Sequence, residues 1–293
     1  MEKMAEEGES GEIEDESDGD SGLESMGVVG GRKRRRKIDA ELKHYLGLRK
    51  YWGQRFRIFS RFNEGVKLDA ESWYSVTPEL VAIHIARRMN EALSNGRATE
   101  GEGSPDGYRP TIILDGFCGA GGNLIQFSLH SHASSLVIGI DIRPEKVQMA
   151  RHNAEVYGAD GKVEFIIGDY LRIAPRLRAV NAVFLSPPWG GPSYKLKKRF
   201  CLDQIVPAGG AELIRCAQRA SENIAFYLPR NIAVGDVIDC SRVGHPVEIE
   251  RNILNGKLKS MVAYYGRLVK LGGSPVSIVR RGGASRARLS DGE

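Results

Sequence analysis

The most chemically specific run in the chain is Ser186-Pro187-Pro188-Trp189. Proline lacks a backbone N–H and fixes φ, so two in succession stiffen a loop and remove two donors. Acceptors remain: the Ser186 hydroxyl and the Pro187 carbonyl. An exocyclic amine on a nucleobase presents two N–H donors, and two rigid acceptors orient its nitrogen for attack on an incoming group. Accepting those protons also offsets the positive charge that grows on nitrogen. Trp189 adds a flat face for stacking a base, worth about 1–3 kcal/mol per base in single-strand binders. These residues predict transfer to a base amine, with Ser186, Pro187 and Trp189 as the reaction site. The four residues alone suit cytosine as readily as guanine.

A second run, Leu114-Asp115-Gly116-Phe117-Cys118-Gly119-Ala120-Gly121-Gly122-Asn123, follows a predicted strand and opens a helix. Glycines let backbone approach a ligand closely. The dinucleotide fingerprint G-x-G-x-x-G, counted from Gly119, fails at Leu124, which disfavours a pyrophosphate and hydride transfer. An Asp before such a turn suits a cofactor with a charged amino-acid end and no phosphate. Asp115 then attracts the cationic end of methionine, directly or through water. Asp141, 26 residues further on, ends the next strand and can accept both ribose hydroxyls. Asp169 and Tyr170 follow the third strand and suit the amino group and the ring of adenine. One such acid is more often a turn former, and Asp141 by itself does not choose between S-adenosylmethionine and NAD. Three acids at successive strand ends behind a glycine-rich turn predict a bound cofactor, and the broken fingerprint favours S-adenosylmethionine. Phe117, Cys118, Gly119, Gly121, Asn123 and Ser186 complete the expected contacts. The four cysteines form no C-x-x-C pair, so no metal is expected.

Alternating elements must carry these turns. Strands are predicted at 112–114, 137–140, 163–167, 182–185 and 224–228, and helices at 145–157, opened by Pro144, and 211–220. Two further strands, 247–254 and 258–268, meet at the tight turn Asn255-Gly256. Such alternation implies a mainly parallel sheet covered on both faces, closed by an antiparallel hairpin. Upstream, helical spacing predicts a helix over Ile38 to Trp52. Thr77-Pro78 starts another through Val81, Ile85 and Met89, fading in the Gly/Ser/Pro-rich loop Ser94 to Pro110.

Charge is unevenly spread along the 293 residues, whose net charge is +5. An acidic N-terminal stretch precedes the basic run Arg32-Lys33-Arg34-Arg35-Arg36-Lys37. The acidic stretch lacks the apolar residues needed to offset ordering entropy, and the basic run fits a nuclear localisation signal or a nucleic-acid contact. The expected organisation is a disordered acidic tail with its basic run (1–37), a helical extension (38–110), a catalytic domain (111–270) and a disordered basic tail (271–293). The N-terminus lacks the apolar core of a secretory signal, so a cytosolic or nuclear protein with an anionic partner is expected.

The S-P-P-W turn resembles the motif of amino-methyltransferases. Further stretches narrow the resemblance: Lys50-Tyr51-Trp52-Gly53-Gln54-Arg55, Gly65 to Asp69, Ser75 to Glu79, Phe117 to Asn123, Ala150 to Gly158, Phe184 to Pro192 and Leu228-Pro229-Arg230-Asn231. Together they resemble the trimethylguanosine synthase family, across roughly 46–269. That resemblance implies a Rossmann-like class I methyltransferase with a seven-stranded sheet and a helical N-terminal extension contributing to a cap pocket. It implies S-adenosylmethionine-dependent methylation of N2 of the 7-methylguanosine cap, giving 2,2,7-trimethylguanosine on small nuclear and nucleolar RNAs. The implied location is the nucleus (nucleolus or Cajal body), with the cytoplasm as an alternative. It further implies that Trp189 stacks the cationic base, that Ser186 and Pro187 hold the amine, and that Asn153 reads the base edge. Lys67 and Arg230 would pair with cap phosphates, and Asn231 would line the substrate site. Gly116 stands where the family leads one to expect Ala, and the stretch His130 to Leu136 is slightly long. The basic run Lys195 to Arg199 is a further candidate RNA contact. Two rivals remain: a DNA or RNA methyltransferase acting on cytosine N4 or adenine N6, and a catalytically idle cap-binding scaffold.

Overall fold

Residues 49–95, 110–241, 245–270, 277–280 and 283–286 are described by a computed structural model. Its sheet grows from the apolar runs read above. The strands are β1 (Ile112–Asp115), β2 (Leu136–Asp141), β3 (Val163–Ile167), β4 (Ala182–Leu185), β5 (Ile224–Pro229), β6 (Glu248–Leu254) and β7 (Lys257–Tyr265). They lie in the order β3-β2-β1-β4-β5-β7-β6. The first five are parallel, whereas β7 runs antiparallel to β5 and β6 antiparallel to β7. Every residue of β4 and β5 is buried, as expected of strands covered on both faces. The β6–β7 turn carries Asn255 at φ +53 and Gly256 at φ +74, the left-handed pair a two-residue hairpin requires. β7 stops at Tyr265, three residues before its expected end, and Gly266–Leu268 turn as a 3-10 helix.

Nine helices occur among the described residues. In the N-terminal extension these are α1 (Arg49–Trp52), α2 (Arg55–Ile58), α3 (Ser72–Ser75) and α4 (Glu79–Asn95). Those interleaved with the strands are α5 (Gly122–His130), α6 (Pro144–Tyr157), α7 (Tyr170–Ile173), α8 (Gly210–Ala220) and α9 (Val234–Ile238). Of the helix expected over Ile38 to Trp52, only α1 falls within the described residues. The acidic stretch, the basic run Arg32 to Lys37 and most of the Ser94 to Pro110 loop lie outside them. The tail expected to be disordered over 271–293 includes two short paired strands, β8 (Ser277–Arg280) and β9 (Gly283–Arg286). The β-branched Ile278-Val279 pair supplies β propensity that the basic composition obscures.

The extension packs on α6 and on the hairpin. Trp52, Phe62 and Trp73 cluster with ring centroids 5.3 to 5.7 Å apart. Lys146 of α6, 2% exposed, donates to Asp69 at 2.7 Å and to the Ser72 hydroxyl at 2.8 Å. α4 lays Val81, Ile85 and Met89 into the core as the periodicity predicts. Thr77, expected to cap α4, accepts from the buried Asn123 amide at 2.9 Å.

Further along α4, Arg88 is buried against the hairpin. Its guanidinium lies 3.7 Å from the Tyr264 ring centroid and donates to Glu250 at 2.7 Å, to Glu248 and to the Leu268 carbonyl. His84 stands 3.0 Å from the other Glu250 oxygen. Burial pushes the Glu250 carboxyl up, but His84 and Arg88 outweigh it and hold it below 4.5. Arg88→Leu should cost about 3–5 kcal/mol in urea unfolding, because it strips a buried carboxylate of its guanidinium and leaves it to His84 and the Tyr264 hydroxyl. The native-state carboxylate contributes stability above pH 4.5 that is lost as pH falls through its depressed pKa. Without Arg88 the variant's carboxyl is no longer held down and takes up its proton first. The gap between wild type and variant should therefore begin to narrow before the wild-type carboxyl is protonated, and close further as pH falls through the depressed pKa.

Candidate active site

β1 and β4 are neighbours, so the turns leaving their carboxyl ends face each other. The Gly116 N–H donates to the Phe184 carbonyl at 3.0 Å and ties the first turn to the fourth strand. Beyond it, Gly119 (φ +51) and Gly121 (φ +90) take left-handed conformations. A Cβ on Gly119 would meet only open space, so conformation alone demands glycine there. A Cβ on Gly121 would lie 3.3 Å from the Ala150 Cα, so this glycine serves the close approach of α5 to α6. Asp141 fastens the same turn, accepting from the Gly119 N–H at 3.1 Å and the Arg143 N–H at 3.0 Å.

Between the two turns opens a cavity of about 370 Å³. Phe117, Cys118, Gly119, Asn123, Asp141, Asp169 and Tyr170 line one part, and Ser186, Pro187 and Trp189 the other. Asp115 lies beneath it, 1% exposed. One of its carboxylate oxygens accepts from the Phe117 N–H at 3.3 Å, while Oδ2 is buried with no partner among the described residues. Burial, aided by the charge of Asp141, pushes the Asp115 carboxyl up to about 7. The Asn123 Oδ1 is likewise buried and unpartnered. Unmet buried acceptors beside a glycine turn fit a ligand that brings a cationic donor. Burial also raises the Asp141 carboxyl, against the two N–H bonds it accepts.

In the proline turn, the Ser186 hydroxyl donates to the Phe117 carbonyl at 3.3 Å, leaving its lone pairs as acceptors. The Pro188 carbonyl is taken by the Val206 N–H at 3.3 Å. No described donor occupies the Pro187 carbonyl. Trp189 stacks on Tyr227 at 24° with centroids 5.4 Å apart, and Tyr194 meets it edge-on at 84° and 5.1 Å.

Several expected roles change. Asn153 is fully buried and does not line the cavity. Its amide accepts from the Lys67 N–H at 2.8 Å and donates to the Lys67 and Ala120 carbonyls at 2.9 Å each. It therefore splices the extension to the glycine turn, and its capacity for a base edge is spent. Asn231 similarly donates to the Tyr194 and Lys197 carbonyls, at 3.1 and 2.7 Å, and shapes the loop beyond Trp189. Asp169 caps α7 through the Leu171 N–H at 2.9 Å while still facing the cavity. Tyr170 packs 5.0 Å from Phe117 and donates to the Leu213 carbonyl at 3.2 Å, so it is a fixed wall. Gly116 makes room for it, since a Cβ there would lie 2.7 Å from Tyr170 Cε2. Lys67 and Arg230 are exposed and outside the lining; burial pushes the Tyr194 phenol up, and the nearby Arg230 charge only partly opposes it.

Sequence comparisons identify the family. A model of the RNA cap guanine-N2 methyltransferase family matches residues 110–268. The chain is 38% identical to the trimethylguanosine synthase of Schizosaccharomyces pombe, over 74% of this chain and 85% of that protein. This chain belongs to the RNA cap guanine-N2 methyltransferase family. It is also 32% identical to the trimethylguanosine synthase of Saccharomyces cerevisiae, over 62% of this chain and 54% of that one. Among solved structures, a methyltransferase from Geobacter sulfurreducens aligns with TM-score 0.42 and 16% identity, covering 78% of this chain and 96% of its own.

Sequence reasoning did not single out Tyr194 or Tyr227 of the methyltransferase's cavity, and it gave the extension a share of the pocket without assigning the lining residues, which are Glu71 and Tyr74 to Thr77. Tyr194 lies five residues beyond Trp189, a spacing that marks it as a neighbour only once the intervening turn is known. Tyr227 sits in an all-apolar strand where it reads as core. The position of Asn153 yields a test. Asn153→Ala leaves the Lys67 N–H and two carbonyls unmatched, so stability should fall by at least about 2 kcal/mol in chemical denaturation. A residue that only reads the base would raise KM for the cap and leave stability unchanged.

Proposed function

We propose that this methyltransferase acts on N2 of the 7-methylguanosine cap through the residues assembled here, and that its products are 2,2,7-trimethylguanosine caps on small nuclear and nucleolar RNAs in the nucleus. The observation that carries the assignment is the pairing of two acceptors, the Ser186 hydroxyl and the Pro187 carbonyl, with the Trp189 ring in one cavity. S-adenosylmethionine, when bound, supplies a methyl group already activated on a sulfonium.

The chain's residues do the rest. Asp115, Gly119 and Asn123 hold the amino-acid end, where the unmatched carboxylate oxygen finds its partner. Asp141 keeps lone pairs for the ribose, and Asp169 faces the adenine end. The base enters against Trp189, whose ring Tyr227 supports from behind. A 7-methylguanine is cationic, so the indole attracts it more strongly than plain guanine. For the first transfer Ser186 and Pro187 accept hydrogen bonds from the two N2 N–H groups, pointing the nitrogen lone pair away from themselves and toward the methyl donor; once the N–C bond has formed, N2 releases one proton to solvent. As positive charge grows on N2, the same two oxygens stabilise it. Lys67 and Arg230, exposed outside the cavity, suit the phosphates that lead away from the base. The rival readings fare worse. An idle scaffold has no need of an intact acceptor pair beside the glycine turn, and neither a cytosine nor an adenine target is favoured by any feature of the site.

Three measurements check this. Mass spectrometry of product from m7GpppG should show added methyl on the cap guanine, and GpppG should be a poor substrate; equal turnover of both would sink the proposal. Trp189→Ala should weaken cap binding roughly tenfold to a hundredfold, in line with about 1–3 kcal/mol of stacking. Cofactor affinity should survive that change yet fall in Asp141→Ala. Because Asp115 ionises at about 7 in the free protein, affinity for the cationic cofactor should rise as pH climbs through 7. Calorimetry on Asp115→Asn should show weaker binding and lose that rise.

A further inference from the structure

The loop that follows Trp189 carries a basic run which the cavity does not use. Residues Lys195 to Arg199 are all exposed, and Leu196 is 87% so, an unusual position for a large apolar side chain. The loop is nevertheless built. Asn231 clamps the carbonyls of Tyr194 and Lys197, Lys197 donates to Gln204 at 2.9 Å, and Arg199 pairs with Asp236 at 3.0 Å. The Lys195 ammonium hovers 5.9 Å from the ring of Tyr194 and 6.0 Å from that of Tyr51, bridging the cavity wall and the extension. A basic ledge therefore begins at the cavity wall, at Tyr194, and leads outward through Lys195 and Lys198. Arg230 reinforces its cationic start beside Tyr194.

We infer that this ledge is a track for the single-stranded nucleotides that follow the cap, with Lys195 and Lys198 against their phosphates and Leu196 against a base. The inference rests on the cap reading above. Phosphates leaving a base seated on Trp189 must cross the cavity mouth, and the ledge is continuous with that wall. Its cations are spaced along an exposed loop, as suits a strand of successive phosphates rather than one anion in a pocket. The side chains make phosphate contacts without reading bases, so the track is indifferent to sequence.

The test compares m7GpppG with a capped single-stranded RNA about ten nucleotides long, using the full chain. The long substrate should have the lower KM at low salt. Lys195→Gln/Lys198→Gln should remove that advantage and leave kcat and KM for m7GpppG unchanged. Each phosphate contact to a single strand contributes about 0.7 to the salt slope, so losing two lowers it by about 1.4. Between about 50 and 200 mM salt, wild type should then lose roughly sevenfold more affinity for the long RNA than the variant does. Lys198→Glu should go further in the same direction. Equal KM values for long and short substrates in wild type, or a variant that keeps the long-substrate advantage, would overturn the track. A crosslink from position 198 to the chain's own acidic stretch or to an acidic protein, rather than to RNA, would overturn it as well. If wild type fails to methylate m7GpppG at all, it is the cap reading that fails, and the two failures are distinguishable.

Discussion

The adjacency of β1 and β4 is the constraint on which the rest depends. The strand order reverses between them, so no crossover covers their carboxyl ends, and the turns that leave them must line one crevice. The bond from the Gly116 N–H to the Phe184 carbonyl holds that crevice to a single width. The glycine turn can then approach one ligand with bare backbone while the proline turn offers bare acceptors to another. The proline turn is stiff through loss of freedom at proline, whereas the glycine turn is held by the Asp141 carboxylate on the Gly119 and Arg143 N–H groups. Methyl transfer between two bound molecules needs such stiffness, since neither reactant is anchored covalently.

A second layer of fastening comes from α6. Its Lys146 and Asn153 are buried, yet both reach the extension, through Asp69, Ser72 and the Lys67 backbone. Asn153 also reaches the Ala120 carbonyl inside the glycine turn. One helix thus couples the wall built by Glu71 to Thr77 to the turn beneath it. The polar groups that accomplish this are saturated, which is why they add specificity of arrangement rather than binding capacity.

Much of this was legible in the sequence. Strand β4 was delimited from residues alone, because four consecutive apolar residues end at a serine and two prolines. The Asn255-Gly256 hairpin was equally plain, since its left-handed pair demands those residue types. The cavity lining from Phe117 to Tyr170 followed from acids and glycines at strand ends. What could not be read was the use to which a polar side chain is put once it is surrounded. Asn153 and Asn231 look like ligand-binding amides in sequence, but their hydrogen bonds go to main chain brought close only by the tertiary fold. Tyr227 reads as core because its partners, Trp189 and the hairpin, are distant in sequence. The pairing of Ser277–Arg280 with Gly283–Arg286 was hidden by a composition dominated by Gly, Ser and Arg.

The buried Arg88 has a bearing on what counts as a module in this family. The family model matches from residue 110 onward, which leaves the extension outside it. Physically the boundary falls elsewhere. Val81, Ile85 and Met89 are core residues, and Glu250 at the heart of the matched stretch has its countercharge on α4. The stretch 110–268 is thus not a folding unit by itself, and the 223-residue similarity to the Schizosaccharomyces pombe protein likewise reaches into the extension. Cutting the chain at residue 110 would leave that acid in the interior without its base, so electrostatics far from the chemistry ties the extension to the sheet.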